Sequence, residues 1–351
     1  MTGQAPALPR LGWREAVQSA VGFALVVLLI AYGLPHLMDT SWEAIWAQLS
    51  RVRLHTALAM GALLLSGLLC YTWVLIGSLP GLRVAQALRV NAVAATVANI
   101  MPLGAAAGAA LSWMMLRSWG FSKARLSSSF LVTGLWNVLA RLVLPVLGCL
   151  VLVVAPIDAP RVVVQGALVA GAVGTGLVVV CAVMIFSDRV AALVARALRA
   201  LLSPFNRSVR EGGGIARVVT DQRHRIETVV RGGWPRMTAG MAGQFVLLFG
   251  LYWLAARVVG MDLPVAELIC AYTFRQLLTV VAVTPGGLGV TEVGTAGLLV
   301  LLGGDGGAAS ATALLYAIYA HLLVVPFGIA ALASWWVGPY RRSEVPEELP
   351  A

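Results

Sequence analysis

The chain has 351 residues, 60% of them hydrophobic and only 11% charged, where a soluble protein carries about 25% charged residues. That composition excludes a soluble globular domain and points to a polytopic helical membrane protein, in which the 37 glycines suit helices packed closely in lipid. The net charge of +10 is read as setting orientation and meeting anionic headgroups, not as binding nucleic acid.

A membrane span needs about 20 apolar residues. The first apolar run, 17–34, follows Arg10 and Arg14 and has no small-x-small cleavage site after it. It is expected to be a retained helix with a cytoplasmic N-terminus. Six segments qualify as full spans: 17–38, 54–78, 126–155, 162–186, 234–258 and 308–336. The stretch 40–53, with Trp42, Ile45, Trp46 and Leu49 at helical spacing, is expected to lie in the outer interface or to pack on the bundle. The stretch 190–202 is expected to do the same at the inner face.

Two further apolar regions, 84–118 and 265–302, break in the middle, at Met101-Pro102-Leu103-Gly104 and at Thr284-Pro285-Gly286-Gly287. Lipid cannot satisfy loose backbone N–H and C=O groups, so each is expected to be a re-entrant hairpin of two half-helices. The two regions resemble each other. Leu79-Pro80 precedes the first and Leu263-Pro264 the second, and both begin with Val-Ala. A weak internal repeat accounts for this.

Charge orients the elements. The segment 187–233 holds nine arginines, among them Arg189, Arg207, Arg217 and Arg231, and is expected to be a cytoplasmic linker. Arg83, Arg117, Lys123, Arg125, Arg341 and Arg342 fall on the same side, while the acidic linkers 260–264 and 303–307 fall outside. Arg51, Arg53, Arg161 and Arg257 lie on or near the outer face. Each hairpin then returns to its own side, and 54–155 and 234–336 become inverted copies, an architecture used by many transporters. The expected fold is all-α: one membrane domain over 1–342, with about six full spans and two oppositely oriented re-entrant hairpins in an inverted repeat. A disordered acidic tail, 343–351, follows.

The break 284–292, TPGGLGVTE, carries the leading candidates for substrate binding. An acid at the bilayer centre costs about 2.5–3.5 kcal/mol, so Glu292 needs compensation. It can cap the half-helix that begins after Gly289, favoured by the helix dipole, and it can meet substrate or a proton; the two roles can coexist. Gly286, Gly287 and Gly289 permit positive φ and a backbone nest for phosphate or carboxylate; the alternative is a tight turn that only reverses the chain. Arg141, with Asn137 one turn earlier, sits in mid-span and requires an anionic headgroup or a carboxylate such as Glu292. Arg275 and Gln276 lie on the second hairpin; Arg89, Asn91 and Asn99 lie on the first, where helix-to-helix hydrogen bonding is the alternative. Tyr316, Tyr319 and His321 are weaker candidates. The four cysteines and four histidines form no metal or redox spacing. Neither a nucleophile triad, a zinc motif, a Walker A loop nor a dinucleotide fingerprint stands out. No cofactor, no metal and no enzymatic activity are expected.

TPGGLGVTE is similar to the second-half signature of the lysylphosphatidylglycerol synthase transmembrane-region family, a flippase-like membrane domain. NIMPLGAAAGAALSWMMLRSWG, 99–120, resembles the first-half break in one branch, and LWNVLARLVLPVLG, 135–148, also resembles the family. The resemblance covers about 54–336. It implies two oppositely oriented re-entrant elements and carries over Pro285, Gly286, Gly287, Gly289 and Glu292, with Pro102 and Gly104 in the first half. In the multiple peptide resistance factor, this domain is associated with moving aminoacylated phosphatidylglycerol across the bilayer. Many relatives place charged residues just after the first proline; here that position reads Ala105-Ala106-Ala107-Gly108. A soluble aminoacyltransferase domain is not expected.

The expected function is translocation of a polar lipid headgroup, anionic or aminoacylated, across the cytoplasmic membrane, or of a polyprenyl-linked lipid. The alternatives are a membrane enzyme on a lipid-linked or polyprenyl-phosphate substrate and an accessory subunit whose basic linker docks a cytoplasmic partner.

Overall fold

The structure is a computed structural model that describes residues 24, 26–101, 104–155, 160–186, 214–279 and 287–337. Every regular element among them is helical. In chain order they are α1 (Val26–Leu37), α2 (Trp42–Leu49), α3 (Leu54–Ser78), α4 (Val84–Ile100), α5 (Gly104–Ser118), α6 (Lys123–Val154), α7 (Arg161–Phe186), α8 (Gly214–Val258), α9 (Val265–Leu278), α10 (Val290–Leu301) and α11 (Gly306–Val337). Both α1 and α11 contain a widened π turn, Leu29–Gly33 and Ile318–Leu323.

Among the described residues, four helices are long and apolar enough to cross a membrane: α3, α6, the 226–258 part of α8, and α11. The expected span 162–186 is helix α7, and the expected span 17–38 is represented by α1, its residues before Ala24 lying outside the described part. The protein is a multi-pass membrane protein. Helix α8 begins at Gly214, inside the stretch expected to be linker, and runs for 45 residues through Pro235. Residues 187–213, with the amphipathic stretch expected at 190–202, and the tail 343–351 lie outside the described residues.

Helix α2 starts at Ser41, whose Oγ accepts from the Ala44 N–H at 3.2 Å, an N-cap that satisfies one orphan donor. It docks on α11 and buries Ile45, while Trp46 stays 71% exposed. Packing on the bundle therefore accounts for Ile45 and Leu49 of the stripe, while Trp42 and Trp46 stay exposed.

The two regions with breaks both fold as helical hairpins. Helices α4 and α5 lie antiparallel: Gly108 faces Ala94, and Gly104 faces Val97 and Ala98. An added Cβ at Gly104 would stand 2.5 Å from the Ala98 carbonyl, so only glycine allows the arms to close. Helices α9 and α10 also fold back on each other, Gly294 against Leu278. At a rise of about 1.5 Å per residue, the arms are about 18–26 Å long, short of the roughly 30 Å hydrocarbon core.

Helices α3 and α8 form the spine. They run antiparallel, with Gly77 against Gly233, Cys70 against Gly240 and Leu63 near Gly250. Because of that direction, the base of the α4–α5 hairpin, beside Ser78 and Lys123, lies at the opposite end of the spine from the base of the α9–α10 hairpin, beside Val258 and Gly306. The main core joins Met60, Tyr252, Leu268 and Leu299 with the alanine-rich first half of α11.

Candidate functional site

Where α10 begins, the described residues bring a buried carboxylate and a buried guanidinium together. Gly289 holds φ +85°, and its N–H donates to Glu292 Oε2 at 2.6 Å. Glu292 is the third residue of α10, where the helix N-terminus favours an anion. Its other oxygen lies 2.8 Å from the Thr291 hydroxyl and 3.4 Å from Arg275 Nη2. Glu292 is fully buried and Arg275 is 3% exposed. Arg275 also stacks over the Tyr316 ring, 4.4 Å from its centroid, and Tyr316 packs edge-on against Tyr252 and Tyr272. Glu292 caps α10, and its ionic partner is Arg275, not Arg141.

Arg141 is half-buried on α6 and donates to the Thr279 hydroxyl at the end of α9. The Cα of Thr279 sits beside Gly287, which holds φ +74°. Arg141 therefore ties the first unit to the turn of the second hairpin without reaching Glu292. Asn137 turns away from that turn: its amide donates to the Tyr71 hydroxyl at 2.7 Å and to the Thr133 carbonyl at 2.8 Å.

The first hairpin docks on the π turn of α11. Asn99 donates to the His321 carbonyl at 3.1 Å, and its own oxygen lies 3.0 Å from His321 Nδ1. The Thr96 hydroxyl donates to the Val324 carbonyl at 3.1 Å. A π turn and Pro326 both disturb the regular ladder of helix bonds, and the hairpin supplies side-chain donors there.

A separate cavity of about 380 Å³ lies between α3, α4, α5 and α6. Its wall is largely apolar, with Tyr71, Asn91, Ser112, Ser129, Thr133 and Asn137 as its polar groups. Ala105 and Gly134 on its rim are exposed, and a Cβ added at Gly134 would meet nothing within 4 Å. Helices α5 and α6 barely touch there; Trp113 and Phe130 bridge them nearer the other end, ring centroids 5.6 Å apart. The cavity therefore opens sideways between α5 and α6.

The lysylphosphatidylglycerol synthase TM region model matches residues 19–328. The chain belongs to the lysylphosphatidylglycerol synthase transmembrane-region family. A search of curated proteins finds no match to it. The part matched to this family holds both hairpins, the Arg275–Glu292 pair and the sideways cavity.

Of the residues expected to bind substrate, Glu292, Arg275, Gly287, Gly289 and Arg141 gather around the second turn, while Asn137 faces the cavity and Asn99 and Gly104 belong to the first hairpin. Pro102, Pro285 and Gly286 lie outside the described residues. A phosphate nest at Gly289 is corrected: its N–H is held by the protein's own carboxylate. The pairing of Arg141 with Glu292 is corrected as well, because α9 brings Arg275 closer. Tyr71, Ser112, Thr133 and Thr279 escaped sequence reasoning. In apolar helices hydroxyl residues bond back to their own backbone, so nothing in the chain distinguishes them.

Proposed function

We propose that this member of the family is a lipid translocase of the cytoplasmic membrane. Its two units, 54–155 and 234–336, act as inverted copies, each with a re-entrant hairpin, and its N- and C-termini are cytoplasmic. A polar headgroup enters the sideways cavity between α5 and α6 while the acyl chains stay in the bilayer. The halves then rearrange about the hairpin turns.

The observation that carries this reading is the cavity itself. It combines polar groups, an opening at the side of the bundle and a wall made by an arm too short to span. The packing supports the inverted repeat, because each hairpin docks on the last span of the other unit. Helix α4 lies on α11 and α9 lies on α6. In both places a glycine of the span faces a threonine of the hairpin, Gly328 against Thr96 and Gly148 against Thr273. Both spans also carry a proline just before that glycine, Pro145 and Pro326. Discontinuous helices meeting across such a repeat are how many transporters place a site near mid-bilayer.

The test is headgroup accessibility in proteoliposomes. With purified protein, a membrane-impermeant reductant is expected to reach fluorescent lipids that began in the inner leaflet. Accessibility equal to that of protein-free vesicles, across anionic, aminoacylated and neutral headgroups, counts against translocation.

A further inference from the structure

We infer that the headgroup taken by the α5–α6 cavity is uncharged and hydroxyl-bearing, such as a glycosyl headgroup, in preference to an anionic or aminoacylated one; this rests on the translocase reading for its biological meaning. The residues lining the cavity include no Asp, Glu, Lys, Arg or His. Its volume, about 380 Å³, falls at the lower end of the roughly 300–1,000 Å³ typical of small-ligand pockets.

The hydrogen bonds already made inside the wall decide what it can offer. Ser112 donates to the Gly108 carbonyl at 2.7 Å and Thr133 to the Ser129 carbonyl at 2.9 Å. Ser78 donates to the Leu75 carbonyl at 3.0 Å, so in the 2.8 Å Ser78–Ser129 pair Ser129 is the donor. Both hydrogens of the Asn137 amide go to protein oxygens. Asn91 donates one amide hydrogen to the Leu68 carbonyl at 3.0 Å. What the wall presents to a ligand is therefore mostly lone pairs, with the Tyr71 hydroxyl and the second Asn91 N–H as remaining donors. A phosphate or carboxylate, which only accepts, would find at most those two donors for its several oxygens, with the other wall groups facing it as acceptors.

An ammonium group can donate, but it needs a counter-charge. Removing one charge from water without a partner costs several kcal/mol. The buried carboxylate Glu292 is sealed against Arg275 on the other hairpin. The charged group within electrostatic reach of Tyr71 in the wall is a cation, Arg141, one turn beyond Asn137. Hydroxyls satisfy both conditions: they donate to the wall oxygens and carry no charge.

Binding and movement are measured separately, so the two readings fail separately. Native mass spectrometry of the detergent-purified protein is run with monoglucosyl diacylglycerol, phosphatidylglycerol and lysylphosphatidylglycerol at equal concentration. The glucosyl lipid is expected to be retained at least about tenfold better, a difference of about 1.4 kcal/mol. Gly134→Trp fills the opening from a position with free space, so the protein stays folded and that retention is lost. Asn137→Asp places a carboxylate in the wall and shifts the preference to the lysyl lipid. Equal or better retention of either charged lipid by the wild type, or retention indifferent to Gly134→Trp, overturns the inference. The same three lipids, fluorescently labelled, are then followed in vesicles. Selective binding without movement leaves the inference standing and removes the translocase reading. Movement of the charged lipids alone does the reverse.

Discussion

Glu292 and Arg275 show what a single residue pair does in this interior. Neither is accessible, and each is the other's charge partner. Removing one member of such a pair leaves an uncompensated charge and typically costs about 3–5 kcal/mol. Glu292→Gln and Arg275→Met are each expected to lower stability by that order, and the double variant by clearly less than their sum. Unfolding in detergent measures this; additive losses would show that the pair is not coupled. The Gly289 backbone sets a second residue-scale limit. With φ at +85° and Leu29 3.0 Å from where a Cβ would sit, Gly289→Ala is expected to cost about 1–3 kcal/mol, read as a lower unfolding midpoint. The cap at this turn was legible in TPGGLGVTE as one of two readings, because a carboxylate three residues after a glycine can close on the glycine N–H. Its partner was not: the sequence offered Arg141 in mid-span for that role, and the path of α9 brought Arg275 there instead.

At the scale of elements, close backbone contact holds the bundle together. Small residues let helices approach where lipid offers no hydrophobic drive for association. Gly233 of α8 lies directly on the Gly77 backbone of α3, and Gly328 of α11 on the Thr96 side chain of α4. Gly233→Leu and Gly328→Leu are expected to cost about 1–3 kcal/mol or more through overpacking. Gly134→Leu, facing open space, is expected to be near neutral. Equal losses at all three positions would refute close packing as the cause. The hairpins were visible in the sequence because a Pro-Gly break inside an apolar run frees backbone groups that lipid cannot satisfy, so the chain turns back within the protein. The long start of α8 was not. Its residues 214–233 carry four arginines, and that charge reads as a linker although Ile226, Val229 and Val230 pack on the core.

For the whole molecule, the antiparallel spine places the two hairpin bases at opposite ends. Single cysteines at Lys123→Cys and Asp262→Cys, both exposed positions, are expected to react with an impermeant maleimide from opposite sides of the membrane. They are introduced after the four native cysteines are replaced. Labelling of both from one side would exclude the inverted arrangement.

The amino-acid sequence alone pointed to the class and the parts: an apolar chain with few charges fits a membrane bundle, and two broken apolar runs fit short helices folded back better than single spans. Those follow from local rules, since water and lipid act on each segment separately. Only the tertiary structure decided which parts meet. It docked the first hairpin on α11 and the second on α6, paired Glu292 with Arg275, and opened an uncharged, largely apolar cavity beside Ala105 and Gly134. Such contacts depend on which helix faces come together, and residues far apart in the chain leave no local mark of it.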